Sequence, residues 1–105
     1  MGTEMKVVHW PRRGGKTTMA LEVLKNNPRC VLICMSGRRC AQVVNENKEF
    51  KDRIISVWAY KQHTTGKHLD SVIIDDGDCI PLSVLLECIN YFQERQLKIM
   101  ITTSA

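Results

Sequence analysis

A chain of 105 residues can bury roughly two-thirds of its unfolded surface, which supports one modest core and a single domain over 1–105. Its apolar fraction of 44% is ordinary for a globular protein, no stretch is long enough to span a membrane, and the net charge of +4 permits an anionic partner without requiring one. The cysteines number five, an odd count with no Cys-x-x-Cys, which argues against a disulfide framework, a zinc site or a redox pair.

The first apolar run, Lys6 to Trp10, predicts a strand, and Lys16 to about Asn26 predicts a helix ended by Asn26-Asn27-Pro28. Arg29 to Met35 is a continuous apolar run of strand length, as a strand buried on both faces requires. Ser36-Gly37 turns the chain into a helical stretch, Arg38 to Phe50, with a stripe of Cys40, Val43, Val44 and Asn47. Arg53 to Tyr60 is rich in β-branched and aromatic residues and predicts a third strand, with Trp58 and Tyr60 as packing residues on one face. A polar loop, Lys61 to Lys67, follows.

Ser71 to Ile74 predicts a fourth strand, stopped by Asp75-Asp76, and Gly77-Asp78 predicts a turn. Pro81 suits the first position of a helix in which Leu82, Leu85, Leu86, Ile89 and Phe92 recur at helical spacing. Leu97 to Ile101 predicts a fifth strand before the polar tail Thr102 to Ala105. Strands alternating with helices imply an α/β fold, a three-layer sandwich with a five-stranded parallel sheet. Cys30, Cys34, Cys40, Cys79 and Cys88 mostly lie among Val, Ile and Leu, as small hydrophobes of a reducing, cytoplasmic setting do. The amino terminus, with Glu4 and Lys6 in a broken apolar pattern, does not read as a secretion signal. His63 and His68 lack a matching Cys or carboxylate cluster, so they make a poor metal pair.

Two stretches carry chemistry. The first is Trp10-Pro11-Arg12-Arg13-Gly14-Gly15-Lys16-Thr17-Thr18, between a strand and a helix. In that context backbone N–H groups of Arg13 to Thr18 and the helix N-terminus surround a polyphosphate. Gly15 lets the backbone approach, Lys16 reaches the β/γ oxygens, and the Thr17 hydroxyl ligates Mg²⁺. The full pattern has a glycine where this chain has Trp10, here read as a packing residue. The second stretch is Val72-Ile73-Ile74-Asp75-Asp76, whose carboxylates end a buried strand at the carboxyl edge of the sheet, the edge of the phosphate loop. Asp75 would hold Mg²⁺ through water, and Asp76 would orient an attacking water. The expected cofactors are ATP and Mg²⁺.

The order Gly-Gly-Lys-Thr, Ile-Ile-Asp-Asp and a strand ending Thr-Thr-Ser-Ala resembles a RecA-like P-loop ATPase of the helicase and packaging-motor division. Pro11 to Thr18 is most similar to the ATPase domain of tailed-phage terminase large subunits. The resemblance implies that Arg12 contacts the γ-phosphate from within the loop. It places Ser36 to Ala41 where helicases touch the nucleic-acid backbone, and Thr102-Thr103-Ser104 where a coupling motif follows the fifth strand. It also implies the sheet order 5-1-4-3-2, with the first strand central. Family members usually carry glutamate where this chain has Asp76, and they continue into further strands and domains. A core of this size is therefore expected to work with nucleic acid, chiefly DNA, and with a larger motor partner or copies of itself, in a phage-encoded setting.

Arg38 and Arg39 open a helix, where positive charge opposes the dipole, which suggests a nearby anion or a solvated face. Three functions are compatible with these residues. The first is a Mg-dependent nucleoside triphosphatase of a nucleic-acid motor. The second is a nucleotide-gated binding module with little hydrolysis, and the third is a small-molecule phosphotransferase. The third is disfavoured because Arg95 is the only arginine after Arg53, too few for an arginine-rich lid.

Overall fold

The structure, a computed structural model, describes residues 4–9 and 16–103. Among the described residues there are five strands: β1 Met5–His9, β2 Cys30–Cys34, β3 Ile54–Ser56, β4 Ser71–Ile74 and β5 Lys98–Thr103. The helices are α1 Lys16–Asn26, α2 Gly37–Glu46, α3 Tyr60–Thr64 and α4 Leu82–Glu94, with 3-10 turns at Lys48–Arg53 and Gly77–Cys79. The α/β class and the all-parallel five-stranded sheet agree with the expectation from sequence.

The strand order is β1-β5-β4-β2-β3, which corrects the expected 5-1-4-3-2. Among the described residues β1 stands at an edge, paired with β5 alone, in the register Met5 with Ile99 and Val7 with Ile101. The residues explain the swap. β5 carries apolar side chains on both faces, Ile99 and Ile101 on one and Met100 on the other, as an interior parallel strand must. β1 is interrupted by Lys6 and His9, and lysine on an outer strand discourages further pairing. Met5 and Val7 accordingly remain 49% and 61% exposed.

Successive residues of each inner strand feed opposite cores. Cys30, Leu32, Cys34 and Ile73 pack with Ala20 and Leu24 of α1 and Val43 of α2. Val31, Ile33, Val72, Ile74, Ile99 and Ile101 pack with Cys88, Ile89 and Phe92 of α4 and with Tyr60 of α3. The chain thus leaves β2 over one face toward β3, and leaves β4 over the other face toward β5. β2 and β4 are neighbours, so their carboxyl ends form the switch point at which open α/β sheets hold ligands.

Further expectations are corrected. The third strand ends at Ser56, not Tyr60: the Val57 N–H donates to the Cys34 carbonyl at 2.8 Å, and Ala59 N–H closes a turn on Ser56 at 2.9 Å. The aromatic residues favour a strand only while a sheet surface is there to take them. Tyr60 instead opens α3 within what was read as a loop, its ring 5.0 Å from Tyr91 and 5.5 Å from Phe92, while Trp58 is 64% exposed. The helix after Gly37 stops at Glu46, where Asn47 leaves helical geometry at φ −144°, ψ 61°. Pro81 sits at the N-cap of α4, not its first turn. On α4, Ile89 and Phe92 are buried as expected and Leu85 packs against the core, but Leu82 and Leu86 are exposed and Cys88 joins the buried stripe.

Candidate functional site

β4 delivers Asp75 to the switch point. Its N–H still donates to the Ile33 carbonyl of β2, at 2.9 Å, and its side chain is 1% exposed. Thr102 of β5, wholly buried, donates its hydroxyl proton to Asp75 Oδ1 at 2.6 Å and accepts the Asp76 N–H at 3.2 Å. Asp75 Oδ2 has no hydrogen-bond partner among the described residues. An unpaired buried polar oxygen costs about 1–3 kcal/mol, more when charged, so such an atom at the carboxyl edge of a sheet invites a cation or water.

Asp76 adopts the left-handed conformation, φ 54° and ψ 48°, which aspartate tolerates better than most residues. Its ligand atom lies within 4.8 Å of those of Asp78 and Cys79, on the turn that follows. Gly77 permits that turn, because a Cβ there would meet Ile101 Cγ2 at 2.5 Å. The two adjacent carboxylates therefore have different neighbours, Thr102 for one and the turn for the other.

The second half of the site comes from two helix starts. Lys16 is the first residue of α1 and Thr17 the second, half-buried; Thr18 is exposed. Thr17 Oγ1 accepts from Arg39 Nη2 at 2.9 Å. Ser36 caps α2 by accepting the Arg39 N–H at 3.1 Å, and Arg39 Nη1 donates to Gln42 Oε1 at 3.2 Å. Burial chiefly, then Cys40 and Asp75, push the Cys34 thiol up to about 12, against the pull of Arg39.

Trp10, Arg12, Arg13, Gly14 and Gly15 lie outside the described residues, as does the Lys16 side chain. The structure brings Thr17 to Arg39 and Asp75 to Thr102; no hydrogen bond joins Thr17 to Asp75 among the described residues. β5 intervenes between the carboxyl ends of β1 and β4, and at its end Thr103 Oγ1 meets His9 Nδ1 at 2.8 Å. Sequence reasoning placed Thr102 and Arg39 in motifs but missed both contacts, which span 27 and 22 residues. Two oxygens here are of the kind Mg²⁺ takes: Asp75 Oδ2, an unused buried acceptor, and the Thr17 hydroxyl oxygen, which is bonded to the Arg39 guanidinium. Clefts of 240 and 340 Å³, the first beside Trp58 and Lys61 and the second beside His68 and Arg95, lie away from Asp75. His63 and His68 join no cluster of metal-ligating groups among the described residues.

No protein-family model matches the chain, and no curated protein matches it either. The functional reading therefore rests on the site itself.

Proposed function

We propose that this chain is a nucleotide-binding P-loop core, a RecA-like Mg-dependent nucleoside triphosphatase that works on nucleic acid. One observation carries the reading: Asp75, buried at the carboxyl edge of a parallel sheet, holds an unpartnered carboxylate oxygen at the switch point. The Gly-Gly-Lys-Thr sequence, which falls between β1 and α1 in the chain, supports it. The sheet order departs from the family resemblance, so topology adds nothing to this proposal.

In this reading the backbone of Arg13 to Thr18 and the Lys16 ammonium bind ATP phosphates, while Thr17 and Asp75 would hold Mg²⁺. When bound, the metal neutralises charge on the β- and γ-phosphates. Thr102 fixes the Asp75 carboxylate so that Oδ2 remains free to accept. Arg12 supplies positive charge to the γ-phosphate from within the loop.

The test is ATP binding and turnover with Mg²⁺, alone and with DNA or RNA. Lys16→Ala is expected to weaken ATP binding at least tenfold, about 1.4 kcal/mol. Calorimetry showing equal binding by wild type and variant overturns the proposal. A second reading, nucleotide-gated binding with negligible hydrolysis, is favoured by the place of the Asp76 carboxylate beside Asp78 and Cys79. Turnover that stays at background with DNA, RNA and excess Mg²⁺ selects that reading.

A further inference from the structure

We infer that Arg39 is a positioning residue of this site, a cation that competes with the metal for the Thr17 hydroxyl. The inference rests on the nucleotide-binding reading above and goes beyond it by giving α2 a part in metal binding. Arg39 Nη2 donates to Thr17 Oγ1 at 2.9 Å, across 22 residues of sequence. The guanidinium is aimed there from two sides: its own backbone N–H is held by the Ser36 cap, and its other arm is held by Gln42.

The geometry sets two demands against each other. Thr17 Oγ1 gives a lone pair to a full positive charge, and metal ligation asks the same oxygen to face a second cation. Two cations on one small oxygen repel, and the half-buried setting of Thr17 and Arg39 limits screening by water. The Arg39 bond must therefore lengthen or break as the metal enters. Released, the guanidinium keeps its anchorage to α2 and is left beside whatever anion the metal accompanies. This also accounts for an arginine in the first turn of α2, against the helix dipole: its charge is spent on the Thr17 oxygen.

The experiment titrates Mg²⁺ against the full chain with a fluorescent ATP analogue, reading binding rather than turnover. Arg39→Ala is expected to lower the half-saturating Mg²⁺ about tenfold, the scale of one charge-assisted hydrogen bond. Arg39→Lys keeps the charge and is expected to keep the wild-type requirement. Thermal melting checks the fold, and Arg39→Gln, neutral but still a donor, serves if the alanine variant unfolds. A half-saturating Mg²⁺ that is unchanged or raised in the neutral variants overturns the inference, as does a lysine variant that behaves like alanine. If wild type binds no analogue at any Mg²⁺ concentration, the nucleotide reading itself fails, a result distinct from the variants matching a wild type that binds.

Discussion

Asp75 shows how a single residue can be costly to the fold and necessary to the site. Its carboxylate is desolvated, yet only Oδ1 has a hydrogen-bond partner, the Thr102 hydroxyl. Replacing the carboxylate by an amide removes a buried charge, so Asp75→Asn is expected to melt at or above the wild-type temperature while losing Mg-dependent ATP binding. A variant that binds Mg-ATP like wild type would remove Asp75 from the site. Gly77 is the opposite case, fixed by space. A Cβ 2.5 Å from the branched, inflexible Ile101 Cγ2 forces a backbone shift, so Gly77→Ala is expected to lose about 1–3 kcal/mol in urea unfolding. Arg53 is a third residue whose role is set by distance: it donates to the carbonyls of Leu24, Asn27 and Cys30, tying the end of α1 to the start of β2.

Among the elements, α4 is the one that covers the sheet on the side of α3. Phe92 is fully buried and touches the rings of Tyr60 and Tyr91, with centroids at 5.5 and 5.2 Å. Phe92→Ala is expected to cost about 3–5 kcal/mol, a large share of the roughly 5–15 kcal/mol that a domain has in all. Chemical denaturation measures it, and a loss below about 1 kcal/mol would mean that α4 does not anchor this face. α3 depends on the same contacts: Thr64 donates to its own helix at Tyr60 O, 2.7 Å, and its hydroxyl lies 3.3 Å from that of Tyr91. With only five residues it has no stability of its own, and it exists because α4 presents aromatic rings to it.

For the whole molecule, buried thiols are expected to contribute to a loss of stability at alkaline pH. Burial foremost raises Cys34 and Cys88 from 9.0 to about 12 in the folded chain. Their folded values lie above the unfolded one, so their contribution to stability is fully present below pH 9 and is lost as pH climbs from 9 toward about 12. Thermal melting between pH 8 and 11 is expected to show a falling midpoint beginning near pH 9. A midpoint flat to pH 11 would show the two thiols to be accessible. Native alkylation gives a companion measurement: Cys79 is exposed and is expected to react first, with Cys30, Cys34 and Cys88 protected until unfolding. None of the described helices is long and apolar enough to cross a membrane.

Local pattern alone determined the class of fold, the bounds of α1, and β4 with its stop at Asp75, because a buried parallel strand needs an unbroken apolar run and a carboxylate ends one. It also located β2, predicted as Arg29 to Met35 and observed as Cys30–Cys34 with every residue buried. What only tertiary structure decided was who stands beside whom. β5 moved between β1 and β4 because the strand with two apolar faces takes the interior and the strand carrying Lys6 and His9 takes the edge. Tyr60 left the strand because Tyr91 and Phe92, about thirty residues on, offered it a better surface. The contacts of Thr102 with Asp75 and Arg39 with Thr17 likewise join residues 27 and 22 apart, a separation at which neither helical nor strand periodicity carries information.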